Sequence, residues 1–200
     1  MKKGFTLLEL LIVIGILAIL AAVTVLVINP AEILRKARDS RRIADLDSIY
    51  GAINYYVTNT SSPSIGDTAK VYAYAHTGLT SVTCDGRTST LTASQAVTST
   101  TGWIPVPLGY LTEGAPLGAW PIDPSPVVSG TKQNYYVYLP VSTTSYTFEV
   151  AANMESTYYS KTGTGDVEST DGGALDTVYE KGIGWATDFT ASSTCFGTSP

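Results

Sequence analysis

Between Phe5 and Ile28 the chain is almost wholly apolar, broken by Thr6, Glu9, Gly15 and Thr24, and its first proline is Pro30. As a helix this run spans about 36 Å at about 1.5 Å per residue, enough to cross a hydrocarbon core of about 30 Å. A secretory signal has a shorter apolar core followed by a small-residue cleavage site. The length therefore predicts a segment that stays with the mature protein. A chain of 200 residues then has room for one globular domain beyond that helix, not two large ones.

Charge is divided unevenly along the chain. Residues 1 to 47 carry seven Lys/Arg against five Asp/Glu, whereas residues 48 to 200 carry five against twelve, for a net charge of -5 overall. An acidic domain repels phosphate backbones, so no nucleic acid is expected on the bulk of the protein. Five bases (Arg35, Lys36, Arg38, Arg41, Arg42) follow the apolar run and only Lys2 and Lys3 precede it. The positive-inside rule alone would place the bulk in the cytoplasm. Against this, Asp39, Asp45 and Asp47 lie where they can pair with those bases along one helix.

The junction Lys2-Lys3-Gly4-Phe5-Thr6-Leu7-Leu8-Glu9 resembles the prepilin peptidase site of type IV pilins and pseudopilins. The resemblance implies cleavage between Gly4 and Phe5, with residues 1–4 as leader, and N-methylation of Phe5. A glycine lacks Cβ and lets an extended backbone fit closely into a peptidase cleft. Glu9 is costly in an apolar helix, about 2.5 to 3.5 kcal/mol near a membrane centre. It sits four residues after Phe5, on the same helical face. It reads either as a glutamate snorkelling to headgroups or, by the resemblance, as the partner of a neighbouring subunit's N-terminal amine. Ala18 and Ala22, with Gly15 on roughly the same side, are compatible with close helix packing in lipid.

Beyond the apolar run, Pro30 should break or kink the helix at Asn29. Ile33, Leu34, Ala37, Ile43, Leu46, Ile49, Tyr50, Ile53 and Tyr56 then follow three- and four-residue steps, one apolar stripe of an amphipathic helix. Arg38, Asp39, Arg41, Arg42, Asp45 and Asp47 read as its charged face. Residues 77 to 101 hold thirteen Ser/Thr in twenty-five positions, which suits a surface loop with short strands or a glycan-bearing stretch. Alternation around Tyr135–Leu139 and Tyr146–Val150 predicts a hairpin connected by Pro140 to Ser145. With Gly109-Tyr110-Leu111 and Trp120-Pro121-Ile122-Asp123-Pro124, this stretch is similar to the loop that leads into the sheet of pseudopilins and short bacterial pilins.

The expected fold is α+β and pilin-like: a leader at 1–4, a membrane or filament-core helix at 5–29, an amphipathic helix at 30–58, and a head at 59–200 built on a small antiparallel sheet. Cys84 and Cys195 match no metal or redox spacing. If exported they can close one disulfide. Asp166, Glu168, Asp171 and Asp176 lie among glycines in an oxygen-rich stretch that could hold calcium, without the ordered spacing of an EF-hand; no other cofactor is expected. His76 is the sole histidine, and without a Gly-x-Ser-x-Gly turn it gives no hydrolase motif, so no enzymatic activity is expected. The family resemblance implies a structural subunit that partners with copies of itself, other pilins, a prepilin peptidase, an inner-membrane platform with its ATPase, and membrane lipid before assembly. It implies a single-pass membrane stage with the head outside the cytoplasm, then a periplasmic or extracellular filament. The alternatives are a secretion pseudopilin and a membrane-tethered binding module whose Tyr-rich head recognises sugar or protein.

Overall fold

The computed structural model describes residues 4–84, 86–129, 132–184 and 195–196. Thr6 is the N-cap of the first helix, α1 (Leu7–Ile28), and its hydroxyl accepts from the Glu9 amide. The helix stops at Asn29, which adopts the left-handed conformation (φ 44°, ψ 74°), a region that asparagine tolerates better than most residues. Pro30 then opens a second helix, α2 (Pro30–Asn59), at a first-turn position where its missing N–H costs nothing. The expected break at Asn29 is thus a full change of backbone conformation between two helices.

Five strands form the main sheet: β1 (Lys70–Tyr74), β2 (Thr88–Thr92), β5 (Tyr136–Ser142), β6 (Thr147–Ala152) and β7 (Tyr179–Ile183), in the order β2-β1-β5-β6-β7. A separate pair, β3 (Val127–Ser129) and β4 (Lys132–Asn134), is antiparallel. The main sheet is mixed rather than antiparallel throughout, because β2 runs parallel to β1. The chain returns from β1 through residues 75–87 before laying β2 alongside, and that crossover permits the parallel direction. The Ser/Thr-rich stretch thus contributes an edge strand. The hairpin is present, but Pro140 and Ser142 belong to β5 and not to the connection: Pro140 pairs with Phe148, with a register shift before Ser142. A proline fits a strand at such an irregularity. The turn itself ends on Tyr146 at φ 54°.

Alternation sends the two faces of β5 into different cores. Tyr136 and Tyr138 join Phe148, Val150 and the α2 residues Leu46, Ile49, Ile53 and Tyr56, with Trp103 and Trp120 closing that core. Val137 and Leu139 face Val71, Ala73 and Ala151 under a cover that includes Leu175, Val178, Cys195 and Phe196. The buried tyrosine hydroxyls have partners, as burial requires: Tyr138 donates to the Ile65 carbonyl (2.7 Å) and Tyr136 to Asp45 (2.9 Å). On the second face a Cys84–Cys195 disulfide joins residues 111 apart, and Tyr135 stacks on Phe196. The same face holds two fully buried carboxyls, Glu149 and Glu180. Burial pushes Glu180 up to about 7, although backbone amides of Leu175 and Ala174 and a hydrogen bond with Glu149 pull the other way.

Candidate functional site: an uncovered helix and its tie to the head

From Phe5 to Ile28 the large apolar side chains that the structure describes are all exposed, Phe5 at 78% and Leu7 at 82%. Among the described residues, no part of the head packs on them. At about 1.5 Å per residue the 22 residues of α1 are about 33 Å long, matched to a bilayer core. At the start of α1, the Thr6 hydroxyl accepts from the Glu9 amide (3.2 Å) and lies 3.4 Å from Glu9 Oε2. This is a Thr-x-x-Glu capping arrangement, a pattern legible in the residues themselves. It holds Glu9 in the first turn, where an acidic side chain also faces the positive end of the helix dipole. Gly4 and Phe5 precede the cap and are exposed, while Lys2 and Lys3 lie outside the described residues. A Cβ placed on Gly15 would meet nothing within 4 Å, so the side of α1 bearing it is open to a neighbour.

Unlike α1, α2 is held to the head by charge. Arg42 is fully buried. Its Nε donates to Asp123 Oδ2 (2.7 Å) and its Nη2 to Asp123 Oδ1 (2.9 Å), a bidentate pair. Its Nη1 donates to Asp39 (2.7 Å), and Nη2 also donates to Glu155. Arg38 adds a second bidentate contact to Glu155, Nε donating to Oε1 at 3.1 Å and Nη2 to Oε2 at 2.5 Å. Asp39 accepts in turn from the backbone amides of Glu155 and Ser156. Burial raises the Glu155 carboxyl, but hydrogen bonds from Arg38 and Arg42 outweigh it and leave that group below its usual range. Asp39 and Arg42 therefore do not belong to a solvent-facing charged side of α2, as helical spacing alone predicts. Their partners, Asp123 in the Pro-Asp loop and Glu155 after β6, are distant in sequence, so no local pattern reveals them.

The remaining bases after the apolar run are also engaged. Arg35 faces Glu32 at 3.6 Å, Arg41 faces Asp45 at 3.7 Å, and the Lys36 ammonium lies 4.4 Å from the Tyr158 ring centre. Asp47 pairs with Lys181 of β7 (2.8 Å) instead of an α2 neighbour. The apolar stripe is buried only from its middle onward, because Ile33 and Leu34 stay 51% and 61% exposed. They extend the uncovered surface of α1 past Pro30.

The four acidic residues of the glycine-rich stretch take separate structural places. Asp166 accepts from the Thr162 and Ser169 amides, Glu168 from Met154 and Lys161, and Asp171 from Gly173 and Glu180. Asp176 pairs with Lys161 at 2.9 Å. Among the described residues no group of three or more His, Cys, Asp or Glu is placed to hold a metal ion. His76 follows β1, with Nδ1 3.2 Å from the Thr77 carbonyl.

Compared with known families, residues 1–25 match the model described as the prokaryotic N-terminal methylation motif. No curated protein and no solved structure matches the chain. The match covers the cap, Glu9 and most of α1, whose described large apolar side chains are exposed. This motif, set on a long N-terminal helix ahead of a five-stranded mixed sheet, gives the chain the signature and the α+β architecture of a type IV pilin-like or pseudopilin subunit.

Proposed function

We propose that this protein is a structural filament subunit: cleaved after Gly4, methylated on Phe5, stored in the cytoplasmic membrane with its head outside the cytoplasm, and polymerised through α1. The observation that carries the reading is the coincidence of the methylation motif at residues 1–25 with a helix whose described large apolar side chains are all exposed. Such a surface needs lipid before assembly and other α1 helices afterwards. Within the bundle, Glu9 pairs with the new amine of a neighbouring Phe5. At about 4 Å and an effective dielectric near 20 that attraction is about 4 kcal/mol before desolvation, and it sets axial register. A prepilin peptidase, an inner-membrane platform and an ATPase complete the machinery. The same reading makes the protein non-enzymatic.

Glu9→Gln tests it. The variant should be processed and inserted normally, with a mature chain that begins at methylated Phe5 by intact mass and N-terminal sequencing, yet be missing from sheared filaments. Assembly at the wild-type level, or a chain that keeps Met1 to Gly4 in cells with active peptidase, overturns the reading and leaves a simple membrane anchor.

A further inference from the structure

Five bases follow the apolar run, on the side that the positive-inside rule would keep in the cytoplasm, and the head neutralises them to different degrees. Arg38 and Arg42 are hydrogen-bonded to Glu155, Asp39 and Asp123. Arg41 faces Asp45 and lies thirteen residues past Ile28, about 20 Å along a helix. Arg35 and Lys36 stand nearest the apolar run and are held most loosely. Arg35 meets Glu32 at 3.6 Å, beyond hydrogen-bond length, and Glu32 also accepts from the Thr157 hydroxyl (2.9 Å). The Lys36 ammonium lies over the Tyr158 ring at 4.4 Å, and among the described residues no carboxylate lies within ion-pair distance of it.

Their surroundings have the composition of a membrane interface. Ile33 and Leu34 on the preceding turn are exposed. Tyr158 and Tyr159, half-buried, meet edge to face at 4.9 Å. Tyrosines gather at headgroup level, and long basic side chains lay their stems on apolar surface while the charge reaches polar groups. Chain length places this patch at that level. Arg35 is seven residues past Ile28, which is about 10 Å at about 1.5 Å per residue, whatever angle α2 takes at Asn29. The headgroup layer extends about 5 to 8 Å beyond the hydrocarbon core, so the arginine stem closes the remaining gap. A second α1 laid on this patch would cover Ile33 and Leu34 but would bring no counter-charge, since Glu9 is the only acidic residue of α1 and sits in its first turn. An anionic headgroup meets both the apolar and the basic side chains.

We propose that the base of the head, made of the first two turns of α2 and residues 157–159, docks on anionic phospholipid headgroups through Arg35 and Lys36. The inference rests on the membrane-stored stage of the reading above and does not depend on cleavage or polymerisation. Each base near an anionic surface strengthens binding roughly fivefold, and salt weakens the effect because the Debye length is about 8 Å at physiological ionic strength.

The test places the full chain in lipid nanodiscs of phosphatidylcholine alone or mixed with phosphatidylglycerol, each with a trace of lipid carrying gadolinium on its headgroup. NMR then reads the broadening of amide signals. The amides of Thr157, Tyr158 and Tyr159 should broaden at least threefold more in the anionic discs, while those of β2, at the far edge of the sheet, stay the same in both. Arg35→Gln combined with Lys36→Gln should abolish the difference at an unchanged melting temperature of the head. If that variant loses its fold, raised salt on the wild-type chain must abolish the difference instead. Equal broadening in the two discs, or a difference that survives the double substitution or the salt, overturns the docking. Where the α1 amides are protected from exchange in both discs, that result leaves the filament reading standing. Where they exchange freely, α1 is not inserted, and the docking and the membrane-stored stage fall together.

Discussion

The two helices of this chain meet at a single residue, Asn29, yet their surroundings differ completely. Along α1 the described apolar side chains are all exposed, whereas α2 buries Leu46, Ile49, Ile53 and Tyr56 and even an arginine and an aspartate. Among the described residues, only α2 has its tertiary partner in the head. A helix that is apolar all round must be solvated by lipid or by other helices. One with a single apolar stripe and a buried ion cluster is committed to the sheet beside it. The chain therefore separates the part that folds alone from the part that is completed by its surroundings.

The largest expected effect breaks the α2 side of this contrast. Arg42→Met leaves Asp39, Asp123 and Glu155 without their shared cation and should destabilise the head by about 3–5 kcal/mol, read by denaturant unfolding. Membrane insertion of α1 should be unchanged by carbonate extraction. Adding Asp123→Asn should recover part of the loss, because the pair is coupled. Strict additivity of the two losses would mean that the cluster does not act as a unit.

A smaller effect separates the two faces of the sheet by pH. The buried Glu180 carboxyl is raised to about 7, above its ordinary range near about 4.3. The stability it confers is complete below that ordinary value and is lost as pH rises through 7, on the order of 3 kcal/mol in total. Glu155, held below its usual range by Arg38 and Arg42, has the opposite sign: its contribution is present above the ordinary carboxylate pKa and is lost in acid. The head should melt highest at mildly acidic pH. Glu180→Gln should flatten the decline between pH 5 and pH 8 while leaving the acid limb in place. An unchanged alkaline slope in this variant would remove Glu180 from the account.

The smallest effect concerns α1 alone. Thr6→Ala removes the cap and should cost about 1 kcal/mol, confined to the first turn. Faster hydrogen exchange at the Glu9 amide, with an unchanged melting temperature of the head, is the expected result. A shift in head stability would show coupling across Asn29.

Local patterns were readable where neighbours in sequence are also neighbours in space. The apolar run, the break before Pro30, the three- and four-residue stripe through Leu46 and Ile53, and the tyrosine alternation of the hairpin all have that character. The Thr6 cap is equally local, a Thr-x-x-Glu spacing that the sequence reading above does not include. Patterns misled where long-range partners decide. Helical spacing placed Arg42 and Asp39 on a wet face, because Asp123 and Glu155 are 81 and 113 residues away from Arg42. Pro140 looked like a turn residue, yet the register shift beside it lets it sit in β5. In the acidic loop the carboxylates of Glu168, Asp166 and Asp171 accept from backbone amides close by in sequence.

By itself the sequence determined that residues 5–28 form a membrane-length apolar helical run carrying one glutamate, since hydrophobicity and helical period are properties of the residues alone. Only the tertiary structure decided that β2 pairs parallel to β1, that two carboxyls meet beneath the sheet, and that Arg42 draws α2, the Pro-Asp loop and the end of β6 together. Buried charges and strand partners are chosen by which distant groups can satisfy them, and that choice exists only once the chain has folded.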